Sequence, residues 1–109
     1  MALDVATLLE SMLAAAEGPL KAGWATAEPF AKTQFTNIAQ QIVDIEAQLA
    51  TGQITPAQAP LLLDMQKQAA QAALLTVEGI GLLAVQNAIN AALAAVATAV
   101  NTALGFALI

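Results

Sequence analysis

An all-α fold follows from three features of the sequence. Alanine, the strongest helix former, occurs 28 times in 109 residues. Apolar side chains recur at three- and four-residue spacings, the period of a helix buried along one face. Gly and Pro fall in a few short clusters that separate those periodic stretches. The expected architecture is one domain over residues 1–109, a helical hairpin plus a long Ala-rich C-terminal helix, packed in a homo-oligomeric bundle. The helices are expected at about 5–16, 29–50, 56–78 and 80–104.

Asp4 precedes the first helix as an N-cap, its carboxylate placed to accept from the free donors of the first turn. Leu3 and Leu8 flank that cap at the positions of a hydrophobic staple. Val5, Leu8, Leu9, Met12 and Leu13 then make one apolar stripe, which Gly18-Pro19 is expected to stop. The connector after it holds Trp24, either an anchor on the core or an anchor at an interface between subunits. Pro29 suits the first turn of helix two. Phe35, Ile38, Ile42, Ile45 and Leu49 form its buried stripe, with Asn37, Gln40, Gln41, Asp44 and Gln48 opposite. Thr51-Gly52 ends it, and Thr55-Pro56-Ala57-Gln58 reads as a capping box whose start Pro60 makes irregular. Helix three is expected to bury Leu62, Met65, Ala69 and Ala73, and to expose Asp64, Lys67, Gln68 and Gln71. Asp64 and Lys67 are spaced for an i,i+3 pair. Gly79 and Gly81 mark either a hinge or a straight run into the last helix.

After Glu78, thirty-one residues carry no charge. A segment of that kind is expected to be wrapped by other protein or by lipid. Within it Leu82–Ala92 and Leu93–Ala103 form an eleven-residue repeat, three helical turns plus about 20°, so equivalent side chains stack in rows. Leu82, Val85, Ile89, Leu93, Val96, Val100 and Leu104 make a bulky row. Gln86, Asn87, Asn90, Thr98 and Asn101 make a polar edge, and Ala84, Ala88, Ala91, Ala95 and Ala99 a thin flank. A lone membrane-spanning helix is disfavoured. Its aliphatic residues gain roughly 2–4 kcal/mol, and each unpaired amide costs roughly 2–7 kcal/mol in hydrocarbon. A bundle removes that penalty by pairing the amides between copies. The expected oligomer contact is Leu82, Val85, Ile89, Asn90, Leu93, Val96, Val100, Asn101, Leu104 and Phe106, with Trp24 as a further anchor and the two asparagines setting register.

Composition narrows the function. Net charge is −5, with three Lys and no Arg, so the basic footprint of a nucleic-acid binder is missing. There is no Cys, His or Tyr, which removes disulfides, thiolate nucleophiles and the usual general bases. No carboxylates share metal-ligand spacing, and Gly79-Ile80-Gly81 lacks the strand and lysine of a phosphate loop. The expectation is a protein that is not an enzyme and takes no cofactor or metal. The acidic MALDVATLLE start does not read as a secretory signal. Glu78 is read as a solvated carboxylate at a helix start, the alternative being a proton-carrying carboxylate inside a membrane bundle.

The stretch LLLDMQKQAAQAALLTVEGIGLLAVQNAINAALAAV and the ending NTALGFALI resemble small uncharacterised helical proteins encoded among tailed-phage and prophage structural genes. The resemblance covers residues 61–109, under half of the chain. It implies a self-assembling, virion-associated structural subunit, whose partners are its own copies and other phage structural proteins. It would lie in the virion or in an assembling particle in the host cytoplasm. The alternative is a membrane-active bundle, holin-like or a genome-ejection channel subunit, located in the membrane.

Overall fold

The computed structural model describes residues 3–109, and these form four α-helices and no strand. They are α1 (Val5–Leu20), α2 (Trp24–Ala50), α3 (Ala59–Leu74) and α4 (Leu82–Leu104), with a single 3-10 turn, Lys21–Gly23, between α1 and α2.

Asp4 caps α1 as its sequence position predicts. Its Oδ1 accepts from the Thr7 backbone N–H at 2.9 Å and its Oδ2 from the Thr7 hydroxyl at 2.7 Å. These donors, the backbone N–H first, hold the Asp4 carboxyl below its ordinary value. A carboxyl with a lowered folded pKa contributes stability that is complete above its unfolded value and is lost as pH falls through the folded one. The window lies below about pH 4. Asp4→Asn keeps an acceptor but removes the titration. Its thermal midpoint is therefore expected to fall less steeply than the wild type's between about pH 4 and pH 2, as read by circular dichroism. Equal slopes would remove the cap from the acid response.

Two prolines expected at helix boundaries lie inside helices. Pro19 sits in the last turn of α1, and Pro29 lies within α2, which begins at Trp24. The residue before a proline is normally pushed out of the helical region by a clash that includes its own Cβ. Gly18 has no Cβ, so α1 continues to Leu20. The reversal comes instead at Lys21, which is exposed and has a φ of 49°. Pro29 leaves the Ala25 carbonyl without its helical donor, but both residues are exposed and water can replace it. At α3 the Thr55 N–H donates to Gln58 Oε1 at 2.9 Å, one half of the capping box. Regular helix starts at Ala59 with Pro60 in its first turn. Between α3 and α4 the chain leaves helical geometry, and Gly79 has a φ of 87°, so this segment is a break.

Each helix runs opposite to the one before it. The Leu3 N–H donates to Glu46 Oε1 at 3.3 Å, which places the start of α1 beside the end of α2. α1 packs most extensively on α4, and α2 on α3; α1 also packs along α2, while α3 and α4 touch far less. Met12, Phe35, Ile38, Ile42, Ile45, Leu74, Val85 and Val100 are the largest fully buried side chains of a shared core. Leu3 and Leu8 join it as the staple positions require. The body measures 43 × 21 × 19 Å. It exposes 5711 Å², close to the about 5,700 Å² that size scaling gives for a folded monomer of this mass.

The burial pattern corrects one expectation in part. Val85, Ile89, Leu93, Val96 and Val100 are covered by the chain's own helices, while Leu82 and Leu83 stay 48% and 70% exposed. A second correction concerns α3. Its buried residues are Ala59, Leu63, Ala70 and Leu74, while Met65 is 67% exposed and Ala69 is exposed. α3 is therefore rotated from the expected face, and Leu61, also 67% exposed, points outward.

Candidate functional site

The least closed part of the fold is the side where α3 and α4 diverge. Asp64, Lys67, Gln68 and Gln71 from α3 face Gln86, Asn87, Ile89 and Asn90 from α4 across an open cleft of about 290 Å³. Its lining is mostly amide. Gln68 Nε2 donates to Asp64 Oδ2 at 2.9 Å, so Asp64 is engaged by Gln68, four residues on, rather than by the expected i,i+3 lysine. The amides lie here because the eleven-residue repeat turns the bulky row of α4 toward α1 and the polar edge toward α3.

Towards the other end of this side, a second cleft of about 310 Å³ is lined by Pro60, Leu61, Leu63, Asp64, Lys67 and Leu108. Leu108 reaches it because the chain folds back after α4. Gly105, with a φ of 80°, turns the chain, and its N–H caps the Asn101 carbonyl at 2.9 Å. The Asn101 side chain then holds residues 108 and 109. Its Oδ1 accepts from the Leu108 and Ile109 N–H groups at 2.9 and 3.1 Å, and its Nδ2 donates to the Ile109 carbonyl at 3.1 Å. Asn101→Ala is expected to release this segment. Amide exchange at Leu108 and Ile109 should quicken at least about tenfold, with a stability loss of about 1–2 kcal/mol. Unchanged exchange at those two amides would show that packing alone holds the hook.

The residues expected to make an oligomer contact divide into groups. Val85, Ile89, Leu93, Val96 and Val100 are buried in the chain's own core. Asn101, Leu104 and Phe106 are half-buried, and Asn101 is occupied by the hook. Leu82, 48% exposed, and the exposed Asn90 face outward. Trp24 opens α2, half-buried against the core. Glu78 is exposed in the turn before α4. The outward line of α4 runs through Leu83, Asn87, Asn90, Ala94 and Thr98, all exposed and none charged.

Sequence reasoning missed Glu46. It is buried beside Ile45, where it takes the free Leu3 N–H at the end of the α1–α2 pair opposite its connecting turn. It borders a cleft of about 320 Å³ with Leu49, Ala50, Ala103 and Leu104. Gln48, placed on the polar side by its spacing, has a buried Oε1 with no hydrogen-bond partner among the described residues. Nothing in the periodicity marks either position. Among the described residues no three carboxylates gather into a metal-holding group.

Fold and surface together define an antiparallel four-helix chain with one open, amide-lined side. No family model, no curated protein and no solved structure matches it, and nothing among these comparisons links it to phage genes.

Proposed function

We propose that this chain is a non-catalytic structural subunit that works by assembling with copies of itself, in a virion-associated particle of the kind the resemblance implies. The observation that carries the reading is the outward line of α4. A soluble protein surface is ordinarily about 25–35% charged, yet the whole of α4 presents no charge to solvent. Beyond Leu82 and Leu83 in its first turn, its exposed residues are small or amide-bearing. Small residues let helix backbones approach closely, and amides pair across a contact. The absence of His, Cys, Tyr and Arg from the sequence supports a role without catalysis or cofactor. Sedimentation in detergent-free buffer tests the proposal. The expected mass is a multiple of 11.1 kDa, and a monomer at every concentration up to about millimolar would remove it.

A second reading is membrane action. α4 is the one helix among the described residues long and apolar enough to span a bilayer, with 23 residues and a mean hydropathy of 1.6 in its most apolar stretch. Insertion would strip Val85, Val96 and Val100 from α1 and carry Asn87 and Asn90 into lipid, so the amides would need partners from other copies. Dye release from liposomes distinguishes this reading. Leakage supports it, and intact vesicles over a broad range of protein concentration count against it.

A further inference from the structure

We infer that the open α3–α4 side is the surface on which two copies meet, each α3 lying on the other copy's α4 about a two-fold axis parallel to the bundle. The inference rests on the assembly reading above and adds the surface and its geometry.

Charge selects this side. Asp4, Glu10, Glu17, Glu28, Asp44 and Glu46 oppose only Lys21 and Lys32 on the α1–α2 half, six negative charges against two positive, for a net −4. The α3–α4 half carries Asp64, Lys67 and, in its turn, Glu78, for a net −1 that completes the total of −5. Two like-charged molecules repel least when they meet across the less charged half.

Shape and area agree. A face of 43 × 21 Å offers at most about 900 Å² per copy, about 1,800 Å² for the pair, within the range of about 1,200–2,000 Å² for stable contacts. The side has apolar ends and a polar middle. Leu75 and Leu83, 39% and 70% exposed, lie at one end and Leu61 near the other, with Gln68, Asn87 and Asn90 between them.

The two-fold direction follows from which rows would oppose. With the axis along the bundle, Leu75 of one copy meets Leu83 of the other. Leu61 projects onto the thin stretch around Ala94 and Thr98, and Asp64 and Lys67 face uncharged α4. The contact is isologous and closes as a dimer. With the axis across the bundle, α3 would lie on α3 and α4 on α4, and Leu83 would lose Leu75 as its apolar partner.

The chain has no cysteine, so thiol cross-linking gives a clean test. Leu61→Cys, Thr98→Cys and Leu83→Cys all alter exposed positions. Separate preparations are mixed in pairs and treated with a short bis-maleimide. Leu61→Cys with Thr98→Cys is expected to give cross-linked dimer at least about tenfold above Leu61→Cys with Leu83→Cys. The reverse order would overturn the axis. Assembly by sedimentation without cross-linking in either pair would overturn the surface and leave the assembly reading standing. A protein monomeric at all concentrations would overturn both.

Discussion

Val96→Asp is expected to unfold the protein rather than to dissociate it. Val96 is 2% exposed, in the middle of the α4 row that packs on α1. An ionised carboxylate there would have no cation or donor placed to receive it. The penalty after relaxation is several kcal/mol, and it adds to the loss of the valine's packing. A domain of this size is stable by only about 5–15 kcal/mol, so a loss above about 4 kcal/mol takes most or all of the margin of a protein at the lower end of that range. Far-UV circular dichroism and urea denaturation read the result. The expected spectrum shows weak helicity or a transition shifted to very low denaturant. A helical, cooperatively melting Val96→Asp monomer would place the bulky row of α4 between copies and not inside the chain.

That experiment turns on a distinction the sequence does not contain. Hydrophobic spacing shows that a helix face is covered but not by what. Phe35, Ile38, Ile42 and Ile45 were legible as core because their stripe stands out against a polar opposite face, and the structure buries all four. The row from Val85 to Val100 was equally legible as covered. Whether α1 or a second copy covers it depends on tertiary docking, which leaves no periodic mark. The face of α3 was ambiguous for a different reason. With Leu61, Leu62 and Leu63 adjacent and alanine at many later positions, several rotations present an apolar stripe. Packing on α2 selects the one through Leu63, Ala70 and Leu74. The open α3–α4 side became visible only once that rotation was known, since it decides that Gln68 and Gln71 face Asn87 and Asn90. Pro19 and Pro29 show local signals overridden at low cost, one eased by Gly18 and the other solvated at the surface.

The double substitution Ala94→Glu with Thr98→Glu is expected to leave the fold intact and to abolish association. Both positions are exposed on the outward line of α4, where surface changes ordinarily shift stability by no more than about 0.5 kcal/mol. In the dimer each copy would bring two new carboxylates into a contact where Lys67 is the one cation of α3 and α4 and Asp64, held by Gln68, already supplies an acid. Desolvating them is expected to weaken association at least about 100-fold, or about 2.7 kcal/mol. Added salt should recover part of the loss, because it screens the repulsion between copies. Thr33→Glu with Asn37→Glu supplies the control: it adds the same charge at the same spacing to exposed positions on the outer face of α2, away from the less charged half. Sedimentation should show that control assembling far more strongly than Ala94→Glu with Thr98→Glu, while both melt as the wild type does. If the α4 variant assembles as well as the α2 variant, the uncharged line is not a contact, and its lack of charge must serve something other than self-association.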